Sequence, residues 1–112
     1  MADSETAHIL DRLSAVIESR RGDDPDSSYT ARLFAKGPKK IAQKVGEEAV
    51  ETIIARLAED KAALAAESAD LLYHLLVLWA EAGLAPDEVW VALEARTGTS
   101  GIEEKRSRPE SK

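Results

Sequence analysis

Cysteine is absent from the chain, which removes both a disulfide framework and a thiolate metal site. Glycine and proline are sparse, six and four in 112 residues, and runs of β-branched residues are almost missing, so strands and long irregular segments are disfavoured. Basic charge is also short. The net charge is −6, whereas a nucleic-acid binder needs a basic face, so no nucleic-acid partner is expected. Met1 to Thr6 are polar and acidic and do not read as a signal peptide. The most apolar stretch, Leu71 to Ala80, carries His74 and is shorter than a bilayer requires. No membrane partner is therefore expected, and the cytoplasm is the expected location. What the chain has in quantity is Ala, Leu, Glu, Lys and Arg, the strong helix formers, over a length that suits one domain.

Apolar spacing divides that length into four to five helices, an all-α fold with no internal repeat. Ile9, Leu13, Val16, Ile17 and Arg20 make one stripe of a helix from about Glu5 to Arg21, with Ser4 as its cap and Gly22 as its stop. A polar loop, Gly22 to Ser27, leads to a short helix over Tyr29–Lys36, capped by Ser27 or Ser28 and closed by Gly37. Pro38 suits the first turn of a long helix reaching about Glu59. No glycine or proline follows. Asp60 is the best break, because its side chain can cap the amides of the next turn. A second long helix then runs to Ala82 and Gly83, and a last one from Pro86 to about Arg96. Residues 1–97 read as one domain and 98–112 as a polar C-terminal tail.

Charge on the two long helices carries the chemistry. With about 100° per residue, Glu47, Glu48, Glu51, Lys40 and Lys44 share one sector of the first, while Ile41, Val45, Ala49, Ile53 and Leu57 lie opposite. Alone, that pattern is an amphipathic helix with a solvated face. The second helix is apolar around most of its circumference, yet Glu67, Asp70 and His74 fall on one narrow strip. Buried carboxylates cost several kcal/mol unless a cation or donors compensate them.

Folding the helices back about residue 59 places Glu48 and Asp70 11 residues either side of the turn, and Glu51 and Glu67 8 either side. Equal rise per residue brings each pair to one height. An antiparallel hairpin core then gathers four carboxylates, with Glu47 beside them. Such a cluster repels itself unless it holds a hard divalent cation, and all-oxygen ligation favours Mg²⁺ or Mn²⁺ over Zn²⁺. Lys36, Lys39, Lys40 and Lys44 precede the acids, and lysines beside a carboxylate-bound metal suit a polyphosphate. A helix apolar nearly all round also needs more cover than this chain supplies, which points to a homodimeric bundle.

At these residues the chain resembles a known family. Glu47-Glu48-Ala49-Val50-Glu51 followed by Glu67-Ser68-Ala69-Asp70 is similar to the EExxE…ExxD pattern of MazG-like, all-α nucleotide pyrophosphohydrolases. The stretches Ser28 to Phe34, Gly37 to Thr52 and Ala69 to Leu76 resemble one branch, the phosphoribosyl-ATP pyrophosphatases of histidine biosynthesis. With the first helix and the Gly101 to Lys105 segment, the likeness covers nearly the whole chain. It implies hydrolysis of 1-(5-phosphoribosyl)-ATP to phosphoribosyl-AMP and pyrophosphate, with Glu48, Glu51, Glu67 and Asp70 as metal ligands. These are the four residues that hairpin geometry selects. Glu47 is then a candidate to orient or deprotonate the attacking water, Lys36, Lys40 and Lys44 to bind phosphates, and Tyr29, Thr30 and Arg32 to contact substrate. His74 is either a second-shell partner of an acid or a core histidine bonded elsewhere. Two rivals remain at this level. A housekeeping (d)NTP pyrophosphohydrolase would use the same site on other substrates, and a non-catalytic helical dimerisation module would bind no divalent ion.

Overall fold

The computed structural model describes residues 5–98, with side chains from residue 9 onward. Five helices, and no strand, occur among the described residues: α1 (Glu5–Ser19), α2 (Tyr29–Lys36), α3 (Pro38–Ala58), α4 (Lys61–Ala82) and α5 (Pro86–Glu94). The Ser4 cap and most of the polar tail fall outside the described residues.

Each boundary has a local cause. α1 stops two residues short of the expected Arg21, because the amides of Arg20 and Arg21 turn to tighter bonds with Ile17 and Glu18 carbonyls before Gly22 takes φ 87°. Of the two serines offered, Ser28 caps α2, its hydroxyl accepting from the Ala31 amide at 3.1 Å. Pro38 opens α3 at a position that needs no amide donor. Asp60 caps α4 through Ala63 N–H at 2.9 Å. At the far end, Gly83 adopts the left-handed conformation with φ 76°, and the amides of Gly83 and Leu84 close back on the carbonyls of Ala80 and Trp79. Glu88 accepts from the Ala85 amide to start α5, which ends at Glu94 rather than Arg96.

Glu59 and Asp60 alone separate α3 from α4, so the pair must fold back antiparallel, and it forms the largest helix–helix contact in the chain. Ile17, Leu33, Ile41, Leu76 and Val77 form the buried core at the end of the hairpin away from the turn. Burial of each such side chain is worth about 1.5–3 kcal/mol. Arg21 ties three helices there: it pairs with Glu18 at 2.7 Å, donates to the Ala80 carbonyl at 2.7 Å, and lies 4.4 Å over the Phe34 ring. Trp79 and Trp90 meet edge to face, and the Trp90 indole N–H donates to Asp11, which gives both a packing role.

Two expectations need correction. Ile53 and Leu57, placed with Ile41 opposite the acids by periodicity, do not share its burial and are 57% and 78% exposed. The residues that α3 buries are Ile41, Glu48 and Ala55, one position every seven, which is the seam that a nearly parallel partner helix covers. The length argument against membrane crossing also fails. α4 is 22 residues long with a window of mean hydropathy 1.3, of which 17% is buried inside the chain, so by length and composition alone it is long enough to span a bilayer.

Asp60→Ala removes the cap at the turn and is expected to lower stability by about 0.5–2 kcal/mol, read from chemical denaturation. Unchanged stability would mean that the Asp60 cap contributes nothing to holding the turn.

Candidate functional site

The seam that buries Ile41 also buries Glu48, which retains 8% of its exposure. A carboxylate enters the interior because its helix position leaves it nowhere else to point. Across the seam α4 presents Glu67, half-buried, and Asp70, exposed. One oxygen from each of Glu48, Glu67 and Asp70 lies within 4.8 Å of the others. Glu51 stands beside Glu67, close enough to hydrogen-bond its protonated form. Thr52 fixes the register, its hydroxyl reaching the Glu48 carbonyl at 2.8 Å and the Glu67 carbonyl across the seam at 3.2 Å. The hairpin therefore gathers three of the four acids named from the sequence, Glu48, Glu67 and Asp70, with Glu51 beside Glu67.

Two of their oxygens lack compensation. Among the described residues Glu48 Oε1 and Glu67 Oε1 are buried without a hydrogen-bond partner, a state that native proteins avoid. Burial, then the charges of Glu51 and Glu48, push the Glu67 carboxyl above its ordinary value. The donor set fits a hard cation. Carboxylates with no nitrogen or sulfur ligand suit Mg²⁺ or Mn²⁺.

Lys44 borders the cluster, its Nζ 3.2 Å from Glu47 Oε1 and 3.9 Å from Glu48 Oε2. Glu47 itself points outward, accepting from Gln43 Nε2 at 2.7 Å and from Lys44. Those two bonds, Gln43 first, hold its carboxyl below the usual value. Lys40 lies within electrostatic reach of Glu47. Lys36 is exposed on the last turn of α2 and pairs with no acid among the described residues.

The substrate candidates on α2 sit on the flank of α4. The Tyr29 hydroxyl lies 3.0 Å from His74 Nε2, and His74 Nδ1 meets the backbone carbonyl of Asp70 at 2.7 Å. His74 thus contacts a proposed metal ligand, through its main chain and not its carboxylate. Thr30 is buried, its hydroxyl bonded to Tyr73. Arg32 holds the Pro25 carbonyl at 3.1 Å, which anchors the loop before α2. Sequence reasoning missed Gln43 and Thr52. Gln43 was legible as an i,i+4 partner of Glu47; the cross-seam bond of Thr52 needs the tertiary fold.

The Glu67 shift has a pH consequence. Above its raised folded value the group is ionised in both states, and the folded chain bears the full repulsion. As pH falls through that value toward the ordinary 4.5, the folded form takes up the proton first and the penalty is relieved. Glu67→Gln is therefore expected to melt above wild type in EDTA at pH 7, and to gain less than wild type on acidification to about pH 5. A variant that melts lower at neutral pH would contradict the repulsion.

Comparison with known proteins agrees with this geometry. The family model described as phosphoribosyl-ATP pyrophosphohydrolase matches residues 10–97. A phosphoribosyl-ATP pyrophosphatase of Azospirillum brasilense is 62% identical over 106 residues, covering 95% of this chain and 96% of the relative. One from Paramagnetospirillum magneticum is 62% identical over 105 residues, 94% and 96% of the two chains. One from Rhodospirillum rubrum is 58% identical over 100 residues, 89% and 86%. Five helices, an acid cluster in the hairpin seam and this similarity over nearly the full length agree, and the chain belongs to the phosphoribosyl-ATP pyrophosphohydrolase family.

Proposed function

We propose that the chain hydrolyses 1-(5-phosphoribosyl)-ATP between its α and β phosphates, giving phosphoribosyl-AMP and pyrophosphate, the second step of histidine biosynthesis. The observation that carries this reading is the pair of buried, partnerless oxygens on Glu48 and Glu67 in a chain whose relatives are named for that activity. Glu48, Glu51, Glu67 and Asp70 would hold Mg²⁺, with Mn²⁺ as the alternative. When bound, the ion supplies positive charge for the triphosphate and a water of lowered pKa.

The chain's own residues do the rest. Lys44 now leans on Glu47 and Glu48; with those charges otherwise compensated, its ammonium is available to a phosphate oxygen. Lys40 and Lys36 extend the basic edge. Lysines placed there favour the charge that builds on the departing pyrophosphate. A water oxygen bonds to phosphorus, the anhydride P–O bond breaks, pyrophosphate departs with the electron pair, and the water's proton leaves to the carboxylate edge or solvent. Glu47, kept ionised by Gln43 and Lys44, is better suited to orient Lys44 and site water than to take the proton. Arg32 and Thr30 act by fixing α2, and Tyr29 is the side chain on that helix that reaches toward the substrate.

A homodimer completes the reading. Val50, Ile53, Ile54 and Leu57 line the outer face of α3, and Leu72 stands out from α4, all 44% exposed or more. Gly46 opens onto the same face, where an added Cβ would meet nothing within 4 Å. A second copy across this face would cover α4 and α3 with protein instead of lipid.

Asp70→Asn is expected to cut pyrophosphate release by more than the roughly 10–100-fold that loss of an outer-shell partner costs, while the fold stays intact. Mg²⁺ should raise the melting temperature of wild type and not of Asp70→Asn; equal effects, or an active mutant, would overturn the assignment. Lys44→Ala should lower kcat/KM by roughly 10–150-fold, the worth of a hydrogen bond to a charged group. Sedimentation of wild type should give a dimer and of Leu57→Glu a monomer; a wild-type monomer would refute the pairing.

A further inference from the structure

His74 is 5% exposed, and both of its ring nitrogens have polar partners. Its Nδ1 lies 2.7 Å from the backbone carbonyl of Asp70. A carbonyl oxygen only accepts, so Nδ1 carries the ring's proton. In the neutral imidazole Nε2 is then an acceptor, and the group facing it at 3.0 Å is the Tyr29 hydroxyl. A phenol has one proton to give. Tyr29 spends it on His74, and its oxygen keeps only lone pairs for anything on its other side. Tyr29 is 45% exposed and stands within electrostatic reach of Lys44, which bridges Glu47 and Glu48.

We infer that His74 is a positioning residue that turns Tyr29 into an obligate acceptor at the edge of the acid cluster, so that this corner receives a donor group of the nucleotide, a sugar hydroxyl or a base amine, and not a phosphate oxygen. The inference rests on the proposed function for the identity of the ligand, but the polarity of Tyr29 follows from the two hydrogen bonds of a neutral His74 ring. A phosphate oxygen placed there would face lone pairs with no proton between, and Lys44 would be left as the phosphate contact. Two neighbouring side chains thus divide the substrate: Lys44 meets the anionic part, Tyr29 the neutral part. The stack of Tyr29 on Tyr73, with centroids 6.2 Å apart and planes at 25°, and the edge-on approach of both rings to His74 leave the phenol little room to turn its oxygen elsewhere.

The test uses the full chain and has two readouts. In ¹⁵N NMR at neutral pH, His74 should show a protonated Nδ1 and a bare, hydrogen-bonded Nε2. Tyr29→Phe should move Nε2 toward the unbonded value and leave Nδ1 in place. A protonated Nε2 with a bare Nδ1, or an Nε2 signal indifferent to Tyr29→Phe, would overturn the inference. In kinetics, Tyr29→Phe should raise KM for phosphoribosyl-ATP about twofold to tenfold, the worth of one hydrogen bond, with kcat unchanged and inhibition by inorganic pyrophosphate unaltered. Pyrophosphate inhibition that weakens in step with KM would show that Tyr29 binds phosphate, and would also overturn it. Competitive inhibition by ATP, 2′-deoxy-ATP and ITP distinguishes the two donors: the analogue whose deficit disappears in Tyr29→Phe lacks the group that Tyr29 accepts. Should wild type fail to turn over phosphoribosyl-ATP, the functional reading fails while the NMR result still decides the polarity of Tyr29.

Discussion

Repulsion between carboxylates across the α3–α4 seam is the force against which the rest of the structure is arranged. Glu48 is buried, Glu67 half-buried, and an oxygen of each is without a partner among the described residues. A fold can tolerate this only if its remaining contacts hold the helices together. The core around Ile41, Leu76 and Val77 clamps the hairpin at one end, and the two-residue turn with its Asp60 cap closes it at the other. The acids sit between these two fixed points. They cannot relax by moving apart, which is the condition under which a cation binds strongly to them.

Division of labour along α3 follows from helical periodicity. Residues seven apart, Ile41, Glu48 and Ala55, face α4, so a single seam carries packing, chemistry and close approach in turn. One step round the helix, Glu47 leaves the seam and joins Gln43 and Lys44. Two adjacent glutamates thereby acquire opposite environments. One is buried beside other acids, the other is exposed and hydrogen-bonded by donors. Their chemistry diverges for that reason alone.

Much of this was legible in the residues. Asp60 as the break, Ser27 or Ser28 as a cap and the pairing of Glu48 with Asp70 and Glu51 with Glu67 followed from capping chemistry and equal rise per residue. Ile53 and Leu57 were misplaced because α3 has two apolar faces, and a helical wheel ranks faces by composition without knowing which one its own chain covers. The tie between Tyr29 and His74 joins residues 45 apart through the packing of α2 on α4, which no local pattern encodes. The membrane criterion failed for a simpler reason. A count of consecutive apolar residues began at Leu71, whereas the helix starts at Lys61 and its earlier alanines keep the mean hydropathy high.

The brevity of the Glu59–Asp60 joint makes the hairpin a ruler. A residue inserted in α3 between Glu48 and the turn, without a matching one in α4, would slide one set of acids about 1.5 Å along the axis and swing it about 100° round the helix. The acids would no longer meet, although every carboxylate would still be present in the sequence. Segment length between Glu48 and Asp70 is therefore as much a part of the acid cluster as the carboxylates are. Insertions and deletions compatible with activity belong before Glu48 or after Asp70, in the loop ahead of α2 or around α5, and a chain that keeps the acids but alters the count between them has kept the motif and lost the site.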